Sequence, residues 1–389
     1  MRRLLLLLAL LAAPLFAAEP SAAPLPDGLY AEFTTSRGTF TAQLFFEQAP
    51  MTVASFVGRA EGSLAPRSGK PFFTGLKWYR VVPNFVLQSG DPTNPGGGIQ
   101  DRPPQSPADE AAGHALPFPD EIVPGLHHAD AGVLSMANGG PDTNSSEFFV
   151  TLRETNRLNY LHSVFGRVVR GLEVLPQIQP DDAFSIQILR VGAAARAFRA
   201  DEAAFAALVA AAKKYALATE PGPAAHFDDP DKLLPQDVPR AKNFNFKLAN
   251  FERFTGKKIY ARVFKAFRPE HEGQKLGAFH SALAERLGVK ERGVLVSYFA
   301  DRDTWMIWIG EDLLPAFVGR AGTHAELVES GLLMKRKESF IAVAKQRGNE
   351  VADRAKAEGR EVSDAQRLKL TVDEVLDAFI FLSEGNPHS

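Results

Sequence analysis

Apolar and polar side chains alternate in two runs near the start of the chain. Tyr30-Ala31-Glu32-Phe33-Thr34-Thr35 and Thr39-Phe40-Thr41-Ala42-Gln43-Leu44-Phe45 flank a Ser36-Arg37-Gly38 turn, the pattern of a β-hairpin. Pro50 opens a helix over residues 51–60, with Val53, Phe56, Val57 and Ala60 on one face. Two short strand-like pieces follow on either side of Pro83, and an arginine, Arg80, stands in the first of them among aromatic and β-branched residues. A Gly/Pro-rich loop over 91–119 leads to strands at 132–137, 147–152, 164–169 and 186–191, separated by turn clusters at 138–146 and 158–162. Many short strands with turns between them predict an all-β barrel or sandwich carrying a helix or two.

The pattern then changes. Residues 195–217 are Ala-rich with Phe198, Phe205, Leu208, Val209 and Ala212 at helical spacing, and a Pro/Asp-rich linker covers about 221–239. Beyond it the periodicity predicts a helix around 246–254, a strand over 259–264 and a helix over 273–287. Strands over 293–299 and 305–309 follow, then two long charged helices over 324–358 and 364–383. Helices alternating with strands predict a separate α/β layer domain. The organisation is therefore a leader over 1–18, a linker over 19–27, a β domain over 28–194, a helix and linker over 195–239, and an α/β domain over 240–389.

Composition narrows the function classes. Across 389 residues, 45% are hydrophobic and 23% charged, ordinary values for a chain with a sizeable core. A formal net charge of −2 gives no global field for nucleic acid or an anionic membrane, so neither is an expected partner. With no cysteine, disulfides, thiolate catalysis and Cys-ligated zinc are excluded. Arg2 and Arg3 precede an apolar run over 4–11 and small residues up to Ala18, which reads as a secretory signal peptide. The mature protein is expected to be exported, periplasmic or secreted, and without stable membrane insertion once the leader is cleaved.

Three clusters in the β domain share a chemistry: Arg80 with Phe85, Val86 and Gln88; Ala137-Asn138 with Glu147 and Phe149; and Leu158 with His162. Together they supply apolar and aromatic surface, one guanidinium and a few hydrogen-bonding groups, but no nucleophile held by a base. A Ser-His-Asp set could be drawn from Ser135, His162 and Asp142, yet no nucleophile-elbow pattern surrounds any serine. His127 and His128 are adjacent and would face opposite ways on a strand, a poor start for a metal site. The glycines of Asn94-Pro95-Gly96-Gly97-Gly98 lack the Lys-Ser/Thr of a phosphate loop, so a plain loop is expected there.

Four ordered blocks resemble the cyclophilins, the family of peptidyl-prolyl cis/trans isomerases. They are Tyr79-Arg80-Val81-Val82-Pro83-Asn84-Phe85-Val86-Leu87-Gln88-Ser89-Gly90-Asp91, Leu134-Ser135-Met136-Ala137-Asn138, Thr143-Asn144-Ser145-Ser146-Glu147-Phe148-Phe149 and His162-Ser163-Val164-Phe165-Gly166. The resemblance spans roughly residues 28–194 and implies an all-β, eight-stranded antiparallel barrel with two capping helices. It implies that Arg80 is the catalytic arginine and that Phe85, Val86, Phe149 and Leu158 hold the proline ring. Gln88, Ala137 and Asn138 match positions that hydrogen-bond the peptide backbone, and His162 lines the pocket edge. No cofactor or metal is implied, and the expected partners are proline-containing unfolded or exported polypeptides. A binding module or chaperone that grips proline segments without useful turnover is the alternative.

The chain departs from the family pattern at three positions. Val86 stands where methionine is frequent and Glu147 where glutamine is common. Arg157 occupies a position that is often large and apolar or aromatic and that shapes cyclosporin binding, so weak cyclosporin sensitivity is expected. In the C-terminal section, residues 251–256, 258–264, 293–299 and 305–310 are similar to the TPM domain, an α/β module of envelope and thylakoid proteins; there Asp301 and Asp303 are more simply solvated turn acids.

Overall fold

The computed structural model describes residues 23–64, 71–92, 116–215, 222–237 and 243–385. The expected leader, the first part of the 19–27 linker and the Asn94–Gly98 loop lie outside the described residues. Eight strands form one antiparallel sheet: β1 Gly28–Thr35, β2 Gly38–Leu44, β3 Arg80–Val82, β4 Val86–Ser89, β5 Val133–Met136, β6 Phe148–Thr151, β7 Val164–Arg170 and β8 Phe184–Val191. Their spatial order is β3-β4-β6-β5-β7-β2-β1-β8. A bridge between Lys77 and Ala183 joins the two outer strands, supported by Trp78 N donating to Asp182 O at 3.0 Å, so the sheet curls into a barrel.

Alternation explains the interior. Leu29, Ala31 and Phe33 of β1 and Phe40, Ala42 and Leu44 of β2 all point into one core, as period-2 side chains must. Phe33 stacks on Phe40 at 4.5 Å, and Trp78 and Phe148 close around them. Each such aromatic contributes about 1.5–3 kcal/mol by leaving water. Helix α1 (Pro50–Glu61) adds Val53, Phe56, Val57 and Ala60 to this core, and a 3₁₀ segment, Leu172–Gln177, adds Val174 and Leu175.

The Ala-rich segment is two helices rather than one, α2 (Gly192–Ala197) and α3 (Glu202–Ala211). Asp201 causes the break: its carboxylate accepts from Ala204 N at 3.1 Å and starts a new helix. The helix expected over 324–358 is also divided, for a backbone reason given below.

The second unit has a four-stranded sheet, β9 (Phe227–Asp228), β10 (Ile259–Phe264), β11 (Val294–Phe299) and β12 (Thr304–Ile309), in the order β12-β11-β10-β9. Pairs β9·β10 and β10·β11 are parallel, and β11·β12 is antiparallel. Both faces are covered. Ile259, Ala261, Val263, Val294 and Val296 pack under α4 (Phe244–Thr255) and two C-terminal helices, while Tyr260, Leu295 and Phe299 pack against α5 (Leu276–Arg286). Burial on both sides is why these strands read as nearly continuous apolar runs.

A short α6 (Leu314–Val318) follows, then α7 (His324–Glu329), α8 (Leu332–Ala357) and α9 (Asp364–Glu384). Gly331 separates α7 from α8 because its φ of 73° is left-handed, which ends one helix and permits the next to begin. The two units are in contact. Ile122 and Tyr160 of the barrel belong to the second unit's core, Tyr160 meets the Phe251 ring at 5.0 Å, and Arg253 Nη2 donates to Asp142 Oδ1 at 2.8 Å. Near the end of α9, Glu384 pairs with His127 at 2.7 Å and accepts from the Tyr160 hydroxyl.

Candidate active site

The β3–β4 hairpin sets the first wall. Pro83 and Asn84 turn the chain, Asn84 tolerates the left-handed φ of 56° there, and Phe85 N closes the turn on Val82 O at 3.0 Å. The resulting register places Arg80 opposite Gln88, so their side chains lie on the same face. Arg80 Nη1 donates to Gln88 Oε1 at 3.1 Å. Gln88 Nε2 in turn donates to the Tyr79 hydroxyl at 2.6 Å and to Glu147 Oε2 at 3.1 Å, and the Tyr79 hydroxyl donates to the same carboxylate. A carboxylate can only accept, so Glu147 draws the Gln88 amide nitrogen to its side and leaves the oxygen for Arg80. Burial first and Glu147 second push the Tyr79 hydroxyl's pKa far above its usual value, which keeps it a donor.

The second wall is apolar. Val86, Phe149 and Leu158 are buried together with Phe85 and Ala137 packed against them, a cluster distinct from the barrel core. Phe149 sits opposite Gln88 in the β4–β6 register and lies between two imidazoles, His128 stacked at 5.7 Å and His162 edge-on at 5.4 Å. Phe85 is half-buried, with the Arg80 guanidinium 5.8 Å and the Arg157 guanidinium 4.7 Å from its ring centre. Gly90 permits the close approach of the neighbouring strand, since a Cβ there would fall 2.3 Å from Ser146 O.

The remaining members border this groove. Ala137 N donates to Glu147 O at 3.0 Å, tying the two loops together. The Asn138 amide reaches across to the neighbouring 158–162 turn, donating to Leu161 O at 2.8 Å. His162 Nδ1 lies 3.0 Å from Met136 O, fixing the ring plane. Arg80, Phe85, Val86, Gln88, Ala137, Asn138, Glu147, Phe149, Arg157, Leu158 and His162 thus come from four separate stretches to one place.

The hydrolytic set is not assembled. Ser135 is buried and lies 2.9 Å from Nε2 of His128, not His162, and Asp142 is bonded to Arg253. His128 Nδ1 meets Asn159 Oδ1 at 2.9 Å, and burial lowers the His128 pKa to about 3, so the ring is a neutral structural strut. His127 points instead to Glu384, so the adjacent histidines do face opposite ways.

Residues 30–192 match the model of the cyclophilin type peptidyl-prolyl cis-trans isomerases. A peptidyl-prolyl cis-trans isomerase-like 1 of Aspergillus fumigatus is 41% identical over 146 residues, 38% of this chain and 79% of that protein. The peptidyl-prolyl cis-trans isomerase ppi1 of Schizosaccharomyces pombe is 41% identical over 143 residues, 37% of this chain and 80% of its own length. A solved cyclophilin type isomerase of Cryptosporidium parvum is 26% identical, with a TM-score of 0.33 over 42% of this chain and 98% of that one. The chain belongs to the cyclophilin family.

Within the cyclophilin groove, two features escaped the sequence reading. Tyr79 joins Gln88 and Glu147 although alternation places it on the face opposite Arg80; it lies just before the paired strand, where alternation does not hold. Arg157, beyond replacing an apolar residue, is itself largely desolvated, and burial lowers its pKa. Its backbone carbonyl lies 3.5 Å from Lys247 Nζ of α4, so the second unit reaches the rim of the groove.

Proposed function

We propose that this cyclophilin twists X–Pro bonds non-covalently, with Arg80 as the donor to the prolyl nitrogen. Rotation about the X–Pro bond faces about 18–20 kcal/mol because it breaks amide resonance. At the twisted geometry the nitrogen regains its lone pair, so a donor aimed at it favours that geometry over either planar one. The observation that carries this reading is the placement of Arg80: its guanidinium is held by Gln88 at 3.1 Å and lies over the same Phe85 ring that edges the apolar cluster. Phe85, Val86, Phe149 and Leu158 would take the proline ring, Gln88, Ala137 and Asn138 the flanking peptide, and His162 the edge. An acceleration of about 10⁵ asks the site for roughly 7 kcal/mol.

The test is a proline-peptide isomerisation assay on the wild type and Arg80→Ala. Loss of about a hundredfold or more in kcat/KM is expected, and a variant within twofold of the wild type overturns the role. Peptide binding with no wild-type turnover would assign the groove to a binding module instead. We further propose, from the basic start and short apolar run over residues 2–18, that the clients are exported polypeptides. Cell fractionation checks this: a mature N-terminus beyond Ala17 in the exported fraction supports it, and an uncleaved cytoplasmic protein refutes it.

A further inference from the structure

Tyr160 lies between two residues of the groove, Leu158 of the apolar cluster and His162 at its edge, and its backbone is left-handed, with a φ of 62°. Among the described residues it is the one aromatic side chain in that region; the other non-glycine cases are asparagine, aspartate or lysine. Asparagine and aspartate tolerate the left-handed region through their short polar side chains, whereas a bulky ring gains nothing there. Such a residue persists only where its surroundings over-determine it.

The surroundings that do so belong to the second unit. Asn250 Nδ2 of α4 donates to Tyr160 O at 3.0 Å, the Phe251 ring meets the Tyr160 ring at 5.0 Å, and Glu384 of α9 accepts from the Tyr160 hydroxyl. Lys247 Nζ, one turn before Asn250 on the same face, lies 3.5 Å from Arg157 O. The buried Asn250 amide also reaches the other bordering loop: Nδ2 donates to Asp120 Oδ2 at 3.4 Å, and Asp120 Oδ1 accepts from Asn144 Nδ2 at 2.7 Å. Asn138 Nδ2 closes the circuit, donating to Asn144 Oδ1 at 3.4 Å and to Leu161 O at 2.8 Å. One stripe of α4 therefore holds both loops that border the groove, 138–146 and 156–162.

We propose that Asn250 and Tyr160 are positioning residues: the second unit holds Tyr160 in its left-handed conformation and thereby sets Leu158 and His162 against the peptide. This rests on the groove being the proline site. The relay of Arg80, Gln88 and Glu147 lies on the β3–β4 side of the groove, outside this circuit. Losing the hold therefore weakens capture of the proline ring and leaves the twisting step as it is.

Full-length variants are compared by peptide isomerisation, with kcat and KM resolved, and by fluorescence anisotropy with the same labelled proline peptide. Asn250→Leu keeps the volume and removes the donor. Its KM and anisotropy Kd are expected to rise about tenfold, the scale of one buried hydrogen bond, with kcat within about twofold of the wild type. Tyr160→Gly in the same background is expected to bring both back to within about threefold of the wild type, because glycine takes a φ of 62° unaided. A merely structural defect would instead lower the active fraction, and with it kcat, at constant KM. An unshifted KM in Asn250→Leu, a fall in kcat alone, or a raised KM that Tyr160→Gly leaves in place overturns the proposal. Should Asn250→Leu not fold, Tyr160→Ala and Tyr160→Gly carry the test, since both lose the ring. The glycine variant binding peptide tighter than the alanine variant by about threefold or more supports the hold on φ, and a smaller difference overturns it. Wild-type binding without turnover would remove the isomerase reading, while the anisotropy ratios still decide the positioning.

Discussion

The relay behind Arg80 makes Glu147→Gln the most informative single change. In the wild type, one carboxylate oxygen takes both the Tyr79 hydroxyl and Gln88 Nε2, and the Gln88 oxygen then faces Arg80 at 3.1 Å. Glutamine keeps the length and shape but not the charge, and it can present either an oxygen or an NH₂ to Gln88. Two effects follow. Hydrogen bonds to a charged group are worth about 1 kcal/mol more than neutral ones, and an ambiguous amide halves the oriented population, about 0.4 kcal/mol more. Only the part transmitted to Arg80 reaches the transition state, so roughly 1 kcal/mol, a three- to tenfold fall in kcat/KM, is expected. The fall should be in kcat, with KM nearly unchanged, because the proline cluster is untouched. Peptide isomerisation kinetics with a parallel thermal melt decide it. A variant that is faster than the wild type at unchanged stability would refute the reasoning, showing that Glu147 withdraws Arg80's charge instead of aiming it.

Lys247→Met should destabilise the fold by about 3–5 kcal/mol, since fully buried Lys247 answers Asp377 and lies near Asp373; urea melts should show much of this recovered in Lys247→Met/Asp377→Leu, and a single variant within 1 kcal/mol of the wild type contradicts it. For pH, His128 has a folded pKa of about 3, below its unfolded value, so the unfolded chain binds the extra proton and stability is lost as pH falls from about 6.5 toward 3. Between pH 6.5 and 5 that is about 2 kcal/mol, and His128→Asn, though less stable at neutral pH, should lose less by this amount on acidification; parallel pH profiles would refute it. Cyclosporin should inhibit about a hundredfold less tightly than it does sensitive cyclophilins, because an apolar ring seated on Phe85 would pack against the Arg157 guanidinium where an apolar side chain would otherwise meet it. Arg157→Trp should restore inhibition, and equal wild-type potency would exclude the argument.

The parts of the site legible in sequence are those carried by short, contiguous runs. Arg80, Phe85, Val86 and Gln88 lie within nine residues, and their strand register follows from the Pro83-Asn84 turn alone. Glu147 is visible in sequence as a departure from glutamine, but its partners are not: the carboxylate takes Gln88 and Tyr79. The reason is the strand edge. Tyr79 precedes the ladder, so its side chain escapes the alternation by which faces are assigned. The helix breaks at Asp201 and Gly331 were hidden for a related reason: an apolar period continues across a cap, and only the local backbone reveals the stop.

What sequence pattern could not supply is the contact between units, because its partners are separated by 90 to 259 residues and have no shared period. Arg157 meets Phe85 on one side and a cavity wall built from α8 and α9 on the other. The second unit meets the barrel through polar contacts as well as apolar packing: Arg253 against Asp142, and Glu384 against His127 and Tyr160. Partly buried polar partners favour this arrangement, since separating them leaves a buried polar group without its hydrogen bond.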